Sequence, residues 1–242
     1  MNPLNVVAFI PARSGSKGLK DKNLRELAGI SLIGRAVLMA KSIKTINHVV
    51  VTTDSETIAG EAARFGAEIP FMRSKSLAED FSTTEVALTD ALVRWESLQE
   101  KKVDLCVYFS PSEAYLNRDC VERGIQFLGQ NSTYDSYFSS HSTTKNYWEF
   151  SEKKFERILD WMKTYSSRQS RQQILREDTG RGCVSRSEVW RSGMRIGDKV
   201  WMEVDDDVRA NLDIHTEIDF KIATLVLSEL GDHKEFSPDK IL

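Results

Sequence analysis

The sequence predicts an α/β fold in three layers, a mainly parallel sheet between helices, with a small lobe protruding from it. Three observations predict this. Apolar, β-branched runs alternate with amphipathic helical stretches from Val6 to Leu128. A basic, glycine-rich turn follows the first of those runs directly. From about Asp135 the alternation gives way to short segments separated by turns.

Val6 to Ile10 is an apolar run that ends at the turn and reads as a buried strand. Leu32 to Ile43 places Leu32, Ile33, Ala36, Val37, Met39, Ala40 and Ile43 along one stripe of a helix. His48 to Thr53 is a second buried strand. Asp54-Ser55 then caps a helix through Ile58, Ala62 and Phe65 that stops at Gly66. Ser82-Thr83-Thr84-Glu85 has the form of a capping box and opens a helix with Leu88, Ala91, Leu92 and Trp95 on one face. Leu105 to Phe109 and Val121 to Leu128 supply the next strand and helix. In such sheets ligands sit beyond the carboxyl ends of the strands, where Arg13, Asp54 and Ser110 fall. Further on, Ser136 to Ser140, Tyr147 to Phe150 and Phe155 to Leu159 read as short antiparallel strands or a lobe. The arginine-rich stretch from Ser166 to Arg186 reads as a loop. Thr216-Glu217-Ile218-Asp219 starts a last helix. The expected organisation is one domain over residues 1–242 with a lobe inserted at about 135–186.

Composition narrows the function. A hydrophobic content of 40% and a charged content of 29% are ordinary for a soluble globular chain. The formal charge of −3 gives no overall basic field, which argues against a nucleic-acid binder and leaves any anionic ligand to locally placed cations. No apolar run approaches the ~20 residues that span a bilayer, and Met1 to Ile10 lacks the pattern of a signal peptide. Cys106, Cys120 and Cys183 are odd in number and lack metal-ligand spacing. A cytoplasmic protein with no membrane partner is expected.

The turn after the first strand holds Arg13, Gly15, Lys17, Gly18 and Lys22 within ten residues. Glycines let backbone N–H groups turn towards an anion, and the cations neutralise its charge. The segment matches neither GxxxxGK[ST] nor GxGxxG. An exposed basic loop is the plainer reading of three such cations, and the position directly after a buried strand favours a phosphate ligand.

Ile10-Pro-Ala-Arg-Ser-Gly-Ser-Lys-Gly-Leu, Lys22-Asn-Leu-Arg and Gly29-Ile-Ser-Leu together resemble the opening signature of the acylneuraminate cytidylyltransferases. The resemblance continues through Val51-Thr-Thr-Asp54, Phe65-Gly-Ala-Glu and Arg73 with Leu77-Ala-Glu-Asp80. It is strong over residues 7–92 and resumes at Leu212 to Asp219. It implies a Rossmann-like nucleotidyltransferase that takes CTP and an acidic nine-carbon α-keto sugar, with the sialic, legionaminic or pseudaminic acid framework. The anomeric hydroxyl would attack the α-phosphorus and release pyrophosphate, with Mg²⁺ (or Mn²⁺) offsetting charge. By matched position, Arg13, Lys17 and Asp213 would serve catalysis. Ala12, Arg13, Ser14, Gly15, Lys17, Lys22, Asn23, Arg73 and Thr84 would hold the nucleotide, Thr84 also falling in the helix cap. The lobe resembles a dimerisation subdomain, with Lys145-Asn-Tyr147-Trp148 matching a family segment, and implies a homodimer. Within it Arg168, Arg171 and Arg176 are candidates for the sugar carboxylate, a task suited to the arginine fork.

Two places depart from the family. Its Asp-Ile-Asp-Thr segment is Asp213-Ile214-His215-Thr216 here, so Asp213 and His215 stand as the candidate metal ligands. Imidazole suits softer metals than Mg²⁺, which leaves three options: Asp213 with the triphosphate, another metal, or weak binding. The loop after Phe109, often Gln-Pro-Thr-Ser-Pro-Leu-Arg in the family, reads Ser110-Pro111-Ser112-Glu113-Ala114-Tyr115-Leu116 and carries no assigned role. Asp205-Asp206-Asp207 reads as a solvated turn. These departures keep open a non-catalytic nucleotide-binding relative, and the fold also admits a cytidylyltransferase for an eight-carbon, Kdo-like acid.

Overall fold

The computed structural model describes residues 3–78, 82–164 and 166–236, without the side chains of Arg168 and Glu235. Glu79 and Asp80 of the Leu77–Asp80 motif lie outside the described residues, as does the Arg168 side chain.

In chain order the elements are β1 (Val6–Pro11), β2 (Glu26–Leu27), β3 (Ile30–Ser31), α1 (Leu32–Ser42), β4 (His48–Thr52), α2 (Glu56–Arg64), α3 (Thr84–Gln99) and β5 (Leu105–Tyr108). They continue with α4 (Arg118–Gln130), β6 (Ser136–Thr143), β7 (Trp148–Ser151), β8 (Lys154–Arg157) and β9 (Ile174–Glu177). The last are β10 (Cys183–Arg186), α5 (Ser187–Arg191), β11 (Val200–Val204) and α6 (Glu217–Leu230). Among the described residues the main sheet has seven strands, in the order β11-β6-β10-β5-β1-β4 with β9 on the side of β6. β4, β1 and β5 are mutually parallel, β10 runs against β5 and β6, and β11 is parallel to β6. The sheet is mixed but mainly parallel in strand direction.

Alternation along each strand builds the layers. In β1, Val6, Ala8 and Ile10 pack under α1, α2 and α4, whereas Val7 and Phe9 point to the other face, under α3 and α5. Each of the valine, isoleucine and phenylalanine side chains among them, fully buried, contributes about 1.5–3 kcal/mol. A third apolar cluster joins Leu19, Leu27 and Leu32 to Ala114, Leu212, Ile214 and α6, closing the end of the sheet where the site lies. The three-layer α/β expectation holds. Among the described residues no helix is long and apolar enough to cross a membrane, and the three cysteines are buried and free.

Local expectations fare unevenly. Ser55 caps α2 by accepting from Ile58 N, and Gly66 follows that helix at φ +87°, where an L side chain is strained. The capping box at Ser82 is displaced by one residue: Thr83 is the cap of α3, accepting from Val86 N, so Glu85 is too near the cap to complete the box. Helix α4 starts three residues earlier than Val121, because the Asn117 side chain caps it by accepting from Cys120 N.

The larger correction concerns residues 166–186. They contain β9 and β10, and β10 is an interior strand of the main sheet, hydrogen-bonded on both sides. Its flanking arginines are anchors rather than solvated charges. Arg186 donates to the carbonyls of Leu128, Asn131 and Tyr134, and Arg181 is 1% exposed and paired with Asp205 at 2.8 Å. β6, at the other end of the expected lobe, is also a main-sheet strand, which leaves only the stretch between β6 and β9 outside the sheet. There β7 and β8 form a separate hairpin whose Trp148, Phe150 and Phe155 are exposed. Nor is Asp205-Asp206-Asp207 a plain solvated turn. Asp205 holds Arg181 and Asn117, and Asp207 caps the turn at 208–211 and pairs with Arg209.

Candidate functional site

A cleft of about 850 Å³ opens at the carboxyl ends of β1 and β5, within the size range of small-molecule sites (about 300–1,000 Å³). Its walls are largely polar, and four of them can be distinguished.

The first wall is the loop after β1. Arg13, Lys17, Gly18, Lys22 and Asn23 line the cleft. The loop is pinned from behind. Ala12 is buried in the core and its N–H donates to Thr52 O at 3.0 Å. The Asn23 amide, itself buried, donates to Arg13 O at 2.9 Å. Ser14 donates to Asp54 through both its amide (2.9 Å) and its hydroxyl (2.6 Å). Burial opposes ionisation of Asp54, but these bonds and the Arg73 charge hold its carboxyl below the usual range. Asp54 thus fixes the loop from outside the cleft. Gly15 sits in open space, and Ser14 and Gly15 are not among the lining residues.

Gly18 has a structural reason of its own. A Cβ built there would lie 2.3 Å from the His215 carbonyl oxygen, so the basic loop and the Asp213–Thr216 segment touch through this glycine. Gly18→Ala is expected to cost about 1–3 kcal/mol in urea denaturation by forcing two backbones apart. Gly15→Ala should stay within about 0.5 kcal/mol of the parent. Equal effects of the two changes would refute the close approach.

The second wall combines Arg73 with the start of α3. Arg73 is buried and clamps the end of β4, donating from Nη2 to Thr52 O and from Nε to Thr52 Oγ1. Burial lowers its pKa, against the raising effect of Asp54 and Asp90. Thr84 is the first residue of α3 and lines the cleft with Ser82 and Thr83. The positive end of the helix dipole therefore faces the same space as the basic loop.

The third wall is the loop after β5 facing the segment before α6. Lys22 reaches across to it, donating from Nζ to Ser112 Oγ (2.6 Å) and to Ile214 O (3.0 Å). Burial lowers the Lys22 pKa, Asp213 raises it, and Arg13 lowers it further. Glu113 lines the cleft here; burial first, and then the Asp213 charge, push its carboxyl up to about 8. Asp213 and His215 also line it, but they bond to each other, His215 Nε2 lying 2.8 Å from Asp213 Oδ2. Among the described residues no three His, Cys, Asp or Glu side chains form a metal-binding group.

The fourth wall is β9 and its surroundings. Arg176 lines the cleft and donates from Nε to Asp178 at 2.9 Å. Arg171 is not among the lining residues; its guanidinium donates to Ser166 O and Thr144 O and braces the turn. Arg195, which no sequence pattern singled out, lines the cleft over the Tyr108 ring, 3.4 Å from Glu85 and 3.5 Å from Glu177. It follows α5 at a point with no motif around it, so only the fold brings it here.

Cations thus enter the polar cleft from the first, second and fourth walls, and the carboxylates of Glu113 and Asp213 from the third. That arrangement can grip a polyphosphate and stabilise charge that develops during transfer of a phosphoryl-type group.

Comparison with known proteins bears on this geometry. The family model described as Cytidylyltransferase matches residues 7–103, which include β1, the basic loop and α3. "Post-translational flagellin modification protein B" of Campylobacter coli is 26% identical over 226 residues, covering 93% of this chain and 95% of that protein. "CMP-N,N'-diacetyllegionaminic acid synthase" of Campylobacter jejuni is 38% identical over 91 residues, which is 38% of this chain and 39% of that protein. Among solved structures, CMP:2-keto-3-deoxy-manno-octonic acid synthetase complexed with CTP superposes with a TM-score of 0.66 at 15% identity. That match covers 93% of this chain and 99% of the other, and speaks for the fold alone. Residues 7–103 thus match the cytidylyltransferase family model, the chain shares the fold of a solved CMP-sugar synthetase, and the relatives point to an enzyme of the nucleotidyltransferase type.

Proposed function

We propose that this enzyme transfers CMP from CTP to the anomeric hydroxyl of an acidic nine-carbon α-keto sugar, releasing pyrophosphate. The observation that carries the reading is the cleft itself: Arg13, Lys17 and Lys22 on one wall, Asp213 on another, with room beside Arg176 and Arg195 for an acidic partner. The name of the legionaminic acid relative supports the substrate class.

In this reading Arg13 and Lys17 hold the β- and γ-phosphates, and the start of α3 receives negative charge on the nucleotide. Asn23 and Asp54 keep the loop in shape from behind. Arg73 acts through β4 and through its charge, since its guanidinium is already engaged with Thr52. The Asp213 carboxylate, next to the loop through Gly18, is a hard oxygen donor of the kind Mg²⁺ favours. When bound there, Mg²⁺ would offset charge on the triphosphate and the attacking oxygen. Arg176 and Arg195 are the cations placed to receive the sugar carboxylate. The exposed aromatic hairpin of β7 and β8 is taken to pair with a second copy of the chain, giving a homodimer.

The test is pyrophosphate release from CTP with Mg²⁺ or Mn²⁺ across a panel of sialic, legionaminic, pseudaminic and eight-carbon Kdo-type acids. Release at least 100-fold above background with one nine-carbon acid is expected. Release with the eight-carbon acid alone would move the substrate class. CTP binding without release on any acid would make the chain a nucleotide-binding module.

A further inference from the structure

Two carboxylates face the cleft from segments a hundred residues apart in sequence. Glu113 and Asp213 are partners in an isolated antiparallel bridge. Its hydrogen bonds run from Ala114 N to Leu212 O at 2.9 Å and from Ile214 N to Ser112 O at 2.8 Å. These bonds flank the pair and do not join it, so 113 and 213 occupy a non-hydrogen-bonded position. At such positions opposed side chains share a face and approach most closely, with Cα atoms about 4.5 Å apart. Both residues line the cleft.

The surroundings hold the pair in this position. Lys22 Nζ bonds to Ser112 Oγ and Ile214 O, the neighbours of the two bridged residues, and so staples both segments together. A Cβ at Gly180 would lie 2.6 Å from Glu113 Oε1, so the glycine leaves space that the carboxylate fills. Like charges directly opposed on neighbouring strands destabilise each other unless a cation lies between them. His215, in contrast, already has its Nε2 on Asp213 Oδ2, the arrangement by which an imidazole orients a ligand carboxylate from behind.

We propose that Glu113 and Asp213 together bind the divalent cation that accompanies CTP, Glu113 supplying across the bridge the oxygen donor that His215 does not. The proposal rests on the cytidylyltransferase reading above. It replaces two carboxylates on one extended segment by two carboxylates on facing segments, and it preserves an all-oxygen donor set suited to Mg²⁺ or Mn²⁺. Triphosphate oxygens and water complete the coordination.

The experiment titrates Mn²⁺ into the full-length protein with CTP present and reads free Mn²⁺ by electron paramagnetic resonance. Calorimetry of CTP in EDTA runs alongside. Glu113→Gln is expected to weaken Mn²⁺ binding at least tenfold, as is Asp213→Asn, with metal-free CTP affinity within threefold of the parent. Glu113→Asp should retain part of the affinity. Gly180→Ala, which would displace the Glu113 carboxylate without removing it, should weaken Mn²⁺ binding several-fold and covers the case in which Glu113→Gln fails to fold. Parent-like Mn²⁺ affinity in the Glu113 and Gly180 variants, with CTP still bound, overturns the proposal and leaves the functional reading standing. A parent protein that binds no CTP overturns both.

Discussion

Asp213→Asn is expected to lower kcat by about 10²–10³-fold, the range seen when one preorganised stabilising group is removed from an active site. The change is nearly isosteric and the Asp213 side chain is 47% exposed, so stability should shift by no more than about 0.5 kcal/mol. The backbone bridge to Glu113 and the bond from Lys22 to Ile214 O do not involve the side chain and should survive. What is lost is a full negative charge at the wall facing Arg13 and Lys17. An amide can still accept from His215, so orientation is kept while the charge is removed. Steady-state pyrophosphate release with saturating CTP, paired with urea denaturation, separates the two effects. Activity within threefold of the parent at unchanged stability would remove Asp213 from the chemistry and would also undercut the pairing with Glu113.

Contiguity decides how much of this site could be read from sequence. The basic loop was legible because Arg13, Lys17, Lys22 and Asn23 sit within eleven residues, directly behind a strand whose apolar run is unmistakable. The strands β1, β4 and β5 and the helices α1, α2 and α3 were legible for the same reason, since periodicity is a local signal. β10 was not. Only four residues long, it follows Arg181 and ends at Arg186, two arginines that look solvated in sequence. Their guanidinium groups are in fact held against carbonyls and Asp205, and the polar composition concealed an interior strand. Glu113 was visible as a departure from a motif, but its partner is Asp213, and no spacing rule connects positions joined only by a bridge. The same holds for Arg195. The structure also reverses one expectation by showing Arg171 bound to its own turn and not to the cleft.

The second large effect lies behind the site. Arg35 is 1% exposed within α1, and its guanidinium donates to both carboxylate oxygens of Asp232 at 2.6 and 2.8 Å. It also donates to Leu27 O and to Ala114 O, and its charge lies 4.4 Å from the centre of the Phe236 ring. One side chain therefore ties α1, the loop after β5 and the chain beyond α6 into a single unit. Arg35→Ala leaves Asp232 without its partner and two carbonyls without donors, and is expected to cost about 3–5 kcal/mol, as for other broken buried pairs. Arg35→Met keeps most of the volume and should still lose stability, because the carbonyl of Ala114 stays unsatisfied. That carbonyl belongs to the residue after Glu113, so the loss should also reach the site. CTP affinity is expected to fall in Arg35→Met even at temperatures where the variant remains folded. Urea midpoints and CTP calorimetry on the same samples test this. A stable Arg35→Met that binds CTP as the parent does would show that Arg35 serves α1 packing alone, and that the loop carrying Glu113 is held from the cleft side by Lys22.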